Sequence, residues 1–351
     1  MTLADSFQST ILKRVAERFL LLFFLLQISA CSGQNHRQQW ALAGSTMGTT
    51  WSVKIIIDAN QALLTQDQVY QVISDELQRV DQLFSTYRDD SELSRFNRSR
   101  SLEWIQVSAD FVEVMTQAST ISQLTQGAFD VTVAPLVNLW GFGPDPERKV
   151  IPDQRTIQQV LRTTGYQKIE IDHASQRLRK LHSDISIDLS AIAKGYAVDQ
   201  VALSLVKLGL KEYLVEVGGE LRAKGHNRDD VAWRVGIEVP TPQLRQVYQA
   251  IQLVDQAVAT SGDYRNYFEI DGKRFAHTIN PLTGRPVEHG LASVTVIADS
   301  AMQADGWATA LMVLGLEQGR MIAEQHSLPV LFISRSGNSF TDYATTDFKR
   351  R

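Results

Sequence analysis

Two-residue turns punctuate this chain, and they push its sheets towards antiparallel pairing. Asp271-Gly272 separates the strand-like runs 267–270 and 274–279, and Gly218-Gly219 separates 213–217 from 220–224. Such dipeptides favour positive φ and fold a strand straight back on its neighbour. Long amphipathic helices alternate with these hairpins. Residues 66–84 carry Val69, Val72, Ile73, Leu77, Val80, Leu83 and Phe84 at helical spacing, and 110–125 forms a second such segment closed by Gly127. Hairpin signals outnumber strand–helix–strand units. The expected class is therefore α+β, with mixed, largely antiparallel sheets and packed helices.

The stretch 259–315 concentrates the signals. After the hairpin, Asn280-Pro281-Leu282-Thr283-Gly284 reads as a tight turn, with Pro281 fixing φ at its second position. Residues 291–298 are apolar and β-branched, a buried strand. Ser300 and Gln303 have capping-box spacing, so a helix starts there, and Gly315 is a suitable stop. Asp305 and Thr309 stand four apart and share a face of it. A carboxylate and a hydroxyl on one turn suit a hard cation such as magnesium, but spacing alone favours a solvated face. His277, just before the turn, is either a structural hydrogen-bonding group or a base.

The chain has 351 residues and a net charge of −4, so no basic footprint points to nucleic acid. Its N-terminus reads as a targeting segment. Lys13, Arg14 and Arg18 precede the apolar run 19–26, which is short for a membrane span, and Ile28-Ser29-Ala30-Cys31 follows. This is a lipobox-like end to a signal peptide over 1–30. Cys31 is then the lipidated (palmitate-bearing) first residue, 31–40 a polar tether, and 41–351 one folded unit, with the option of two subdomains. An anchored protein of this kind is expected to face the periplasm, at the inner membrane, although Ser32 is not the acidic residue of a retention signal. Cys31 is the sole cysteine, so no disulfide forms.

Further along, Gly44-Ser45-Thr46-Met47-Gly48-Thr49-Thr50 is a glycine- and threonine-rich turn ahead of a strand over 51–57. Tyr87 is a core aromatic or a stacking platform. Residues 185–190 read as a strand running into a helix that continues to about Leu208, with Asp188 or Ser190 as N-cap. Such a junction suits a phosphate, and Lys194, one turn in, would add a cation; equally, Asp188 only caps and Lys194 only faces water. Neither a Walker loop nor a G-x-G-x-x-G fingerprint is present.

Six segments occur in one order: GSTMGTTW, FSTYRDDSELSRFN, GAFDVTVAPLVNLWGFG, DLSAIAKGYAVDQ, VEVGGELRAKG, and the 259–315 stretch with SGDYRNYF, HTINPLTGRPV and ADGWATALMVLG. Together they resemble the ApbE family of flavin transferases, which move FMN from FAD onto a threonine of a target protein. The resemblance spans nearly all of the mature chain. It implies FAD contacts at Met47, Tyr87, Ala128, Phe129, Asp130, Asp188, Lys194 and Ile279. It also implies magnesium ligation by Asp305 and Thr309 with the Ala191 carbonyl. Ala308 departs from relatives that carry an acid there. The implied reaction releases AMP, and His277 or a carboxylate takes the threonine proton. The implied acceptors are respiratory flavoproteins of the sodium-pumping NADH:quinone oxidoreductase or Rnf type. Two other readings share the same sites: an FAD pyrophosphatase, and a flavin-binding lipoprotein without catalysis.

Overall fold

The computed structural model describes residues 37–57, 64–144, 151–241, 246–264, 266–337 and 339–350. The signal peptide, Cys31 and most of the tether lie outside the described residues. Eight strands build one central sheet: Gln38–Thr46 (β1), Thr49–Ile57 (β2), Tyr213–Val217 (β3), Glu220–Lys224 (β4), Ala257–Gly262 (β5), Leu291–Ala298 (β6), Val330–Ser336 (β7) and Ser339–Ala344 (β8). Their spatial order is their chain order, and every neighbouring pair is antiparallel. The hairpin expectation holds. At the Asp271-Gly272 turn both residues have positive φ, 52° and 74°, as a tight two-residue reversal requires. The fold begins earlier than the tether reading placed it, because Gln38 already pairs with Ile57. The polar composition of 38–39 hid an edge strand, whose outward positions are exposed.

The helices are Gln66–Phe84 (α1), Glu92–Arg98 (α2), Ala109–Leu124 (α3), Ala134–Leu139 (α4), Gln154–Leu161 (α5), Ala193–Lys207 (α6), Ala301–Gln325 (α7) and Thr346–Lys349 (α8). Successive strand residues point to opposite sheet faces. Ile55 and Ile57, Val294 and Val296, and Phe332 join the apolar stripes of α1, α6 and α7 on one face. Ile56, Ile297, Leu331 and Ile333 face the other way, under a hairpin of Trp233–Glu238 with Val247–Leu253 and Phe348 of α8. Both faces are covered, so β6 is apolar without alternation. A third cluster of Leu136, Trp140, Ile157, Phe268, Phe275 and Ile279 stands apart from these two cores. The Trp140 indole closes it by donating to the Gly284 carbonyl at 2.8 Å. Among the described residues, no helix is long and apolar enough to cross a membrane.

Two helix boundaries shape the site. Helix α7 breaks at Gly315 (φ 72°, ψ 178°), where the sequence stop falls, and then resumes to Gln325. Helix α6 starts later than the sequence suggested. Its N-cap is Ile192, and neither Asp188 nor Ser190 caps it. Residues 185–190 form no ladder strand. Asp188 Oδ1 instead accepts from Ser190 N at 2.9 Å in a local turn.

Candidate active site

A cleft of about 600 Å³ opens between the third cluster and the meeting point of α6, α7 and the sheet. Tyr87, Ala128, Phe129, Asp130, Asp188, Ala191, Lys194, His277, Ile279, Asp305 and Thr309 all line it. Segments far apart in the chain, from Tyr87 to Thr309, thus converge on one cavity. Met47 is the exception: it sits at the β1–β2 turn with φ 48°, packs against the main core, and is not among the lining residues.

The floor is set by the fit of α6 on α7. A Cβ at Gly195 would stand 2.3 Å from the Ala301 carbonyl oxygen, so only glycine permits this approach. Asp199, one turn on, accepts from Ala301 N at 3.0 Å and Met302 N at 2.9 Å and caps α7 from the neighbouring helix. Gly195 N in turn donates to Asp305 Oδ2 at 3.0 Å. Asp305 is therefore buried (5 % exposed), and the solvated-face reading fails for it. Lys194 Nζ pairs with Glu220 Oε1 at 2.6 Å; Glu220 is 4 % exposed, and Lys194 keeps 30 % at the cleft surface.

Two carboxylates and one ammonium thus share a buried site, with a surplus negative charge when all are ionised. Burial pushes Glu220 up to about 7 against the opposing pull of Lys194, and burial raises Asp305 as well. The Lys194 ammonium is held above its ordinary range by Asp305 and Glu220, which outweigh its desolvation. Glu220 Oε2 is buried with no hydrogen-bond partner among the described residues. A surplus acid and an orphaned oxygen fit a divalent cation held by oxygen donors, with Asp305, Thr309 and the Ala191 carbonyl at hand. Glu220 escaped the sequence reading; its signal was an acid directly after a two-glycine turn, at a strand position that packs inward.

On the opposite wall, His277 Nδ1 lies 3.1 Å from the Asn266 carbonyl oxygen. A carbonyl only accepts, so Nδ1 carries the proton and Nε2 keeps its lone pair. Burial lowers the His277 pKa below its usual value, so the ring is neutral at pH 7. Phe142 meets the ring edge-on, at 6.4 Å between centroids, and stacks on Phe268. Asp130 is buried, and its carboxylate accepts from Thr132 N, Thr132 Oγ1 and Tyr166 N at 2.7–2.8 Å. That side chain shapes the Ala128–Phe129 wall and has few lone pairs left for a ligand. Tyr87 is 75 % exposed at the cleft, which rules out the core reading and leaves a platform for a flat ring.

Fold and cleft together define an α+β protein with a nucleotide-sized, acid-floored pocket and a neutral histidine on its wall. The chain belongs to the ApbE family, whose model matches residues 47–332. It is 45 % identical over 326 residues to the FAD:protein FMN transferase of Vibrio cholerae, covering 93 % of this chain and 96 % of that one. The Haemophilus influenzae FAD:protein FMN transferase is 41 % identical, with 97 % and 98 % covered. Among solved structures, the flavin transferase ApbE from Vibrio cholerae superposes with a TM-score of 0.83 at 44 % identity, over 90 % of this chain and 99 % of that one. The Pseudomonas stutzeri flavinyl transferase ApbE in its apo form gives 0.82 at 39 %, over 90 % and 96 %.

Proposed function

We propose that the chain is an FAD:protein FMN transferase that moves FMN from FAD to a threonine hydroxyl of an acceptor protein, releases AMP and is assisted by magnesium. The observation that carries this reading is the convergence of Lys194, Asp305 and His277 on one cleft. Phosphoryl-type transfer needs alignment and charge neutralisation more than a protein nucleophile. Lys194 supplies a fixed cation for the pyrophosphate. The neutral His277, with Nε2 free of its proton, takes the hydroxyl proton of the incoming threonine. Tyr87 offers a face for the isoalloxazine ring, and Ala128, Phe129 and Ile279 line the apolar wall. Asp305, Thr309 and the Ala191 carbonyl would hold magnesium, which supplies Lewis-acid stabilisation of the phosphate oxygens when bound.

The acceptors proposed are exported or membrane-embedded respiratory flavoproteins of the sodium-pumping NADH:quinone oxidoreductase or Rnf type, met from a lipid anchor at Cys31 on the periplasmic side of the inner membrane. The test is incubation of the chain with FAD, magnesium and a purified acceptor subunit of that oxidoreductase. Mass spectrometry of the acceptor and an AMP assay follow. The reading requires an FMN-sized mass gain on a threonine peptide matched by AMP. AMP with free FMN and no acceptor adduct would replace it with a pyrophosphatase.

A further inference from the structure

Beyond its share in the acid surplus of the floor, Glu220 has no task in the chemistry just given, yet its carboxylate makes the one hydrogen bond that Lys194 Nζ forms among the described residues, at 2.6 Å. The two residues approach the cleft from different elements: Lys194 from the first turn of α6, Glu220 from the first position of β4. Gly218 lets them meet. A Cβ there would stand 3.2 Å from Lys194 Cδ and 3.4 Å from Glu220 Oε2, and 3.0 Å from Thr49 Cγ2, so the turn forms a close-fitting cradle around the lysine stem. Gly218 N donates to the Thr50 carbonyl at 3.0 Å, which fixes that cradle to the β1–β2 hairpin.

A lysine is a point charge on a four-carbon stem, and its ammonium ranges over several rotamers unless the tip is fixed. Here the backbone end is fixed by α6 and the tip by β4. The geometry points to Glu220 as a positioning residue that holds the Lys194 ammonium on the cleft floor, in line for the bridging phosphates of the bound dinucleotide, acting through Lys194 and not on the ligand. This rests on the reading of the cleft as the FAD site. The competing account is an ion pair that merely staples β4 to α6. Both accounts predict some loss of thermal stability on removing the acid, and they part on kinetics.

The test uses the full chain and four variants: Glu220→Gln, Glu220→Asp, Lys194→Ala, and Lys194→Ala with Glu220→Gln. FMN transfer to the same acceptor subunit gives kcat and the KM for FAD, and calorimetry gives the Kd for riboflavin, which has no phosphate to report on Lys194. A misplaced charge harms the transition state more than the ground state. Glu220→Gln should therefore lower kcat at least tenfold while moving the FAD KM less than threefold and the riboflavin Kd less than twofold. Glu220→Asp, which keeps the charge, should recover at least threefold of that loss. In the Lys194→Ala background the glutamine substitution should cost less than twofold more, because nothing remains to be positioned. Losses that multiply in the double variant would overturn the proposal, as would a parental kcat for Glu220→Gln. Loss of riboflavin binding in Glu220→Gln would assign the pair to stapling. A parental kcat for Lys194→Ala would remove Glu220's role together with the phosphate role of Lys194, while FMN transfer by the parent would still stand.

Discussion

His277 shows how a residue's task follows from its surroundings. With Nδ1 committed to the Asn266 carbonyl, substitution by Asn removes the free Nε2 and leaves most of the apolar wall intact. General-base assistance contributes about 10²–10⁴-fold, so His277→Asn should lower FMN transfer by roughly that factor and change FAD affinity little. Calorimetry with FAD beside the transfer assay checks this; loss of FAD binding would assign His277 to the binding wall. Because burial lowers its pKa, the histidine limb of the parental pH–rate profile should fall below the usual histidine value. Lys180 behaves differently. It is fully buried, donates to the Asn97 and Ser99 carbonyls at 3.1 and 2.7 Å, and burial brings its pKa down to about 8. Between about 8 and the unfolded lysine value the unfolded chain binds more protons than the folded one, so this group makes stability rise with pH across that window. Urea unfolding from pH 7.5 to 10.5 should show that slope in the parent and lose it in Lys180→Met, a difference on the order of 3 kcal/mol. An equal slope in both would mean that the amine is not desolvated.

At the scale of elements, the pairing of α6 with α7 makes the site. Gly195 brings the two backbones together, Asp199 caps α7, and Asp305 reaches back to Gly195 N. Gly195→Ala places a methyl group against the Ala301 backbone, where no rotamer can relieve it. Overpacking of this kind costs about 1–3 kcal/mol, and the upper end is expected here. The variant should also move Asp305 away from Lys194 and lose FMN transfer by more than its stability loss explains. Chemical unfolding and the transfer assay on one preparation check both; parental activity at reduced stability would separate the helix contact from the site. None of this close contact was legible in the sequence, where Gly195 is one more glycine in a helical run. The hairpins, the β6 strand and the α7 start were legible, because turn chemistry and capping are local. The α6 start and the β1 edge were misread. A helix start can be satisfied from another helix, as Asp305 does at Gly195 N in the first turn of α6, and an edge strand needs apolar residues on one face only. Asp305 was legible as a chemical type, but its burial depends on Gly195, 110 residues away. Glu220 meets Lys194 only through the topology of the sheet.

For the whole molecule, the surplus acid on the cleft floor couples ligand binding to stability. Ligands that bind only the folded state stabilise it by about 2.7 kcal/mol at a hundred times Kd, roughly 4 °C in a chain of this size. Magnesium added to the FAD-bound parent should therefore raise Tm by about that amount. In Asp305→Asn the side-chain oxygen can still accept from Gly195 N, so the fold is retained, but the charge that attracts the cation is gone. The magnesium increment should vanish in that variant while the FAD increment persists. The increment has a pH dependence of known sign. Burial raises both Asp305 and Glu220, so protons compete with the cation at the acid end, and a ligating carboxylate must be deprotonated. The parental magnesium increment should thus grow from pH 5.5 to pH 8, and differential scanning fluorimetry over a magnesium titration at each pH measures it. An increment of the same size in Asp305→Asn, or one that shrinks as pH rises, would place the metal away from this helix.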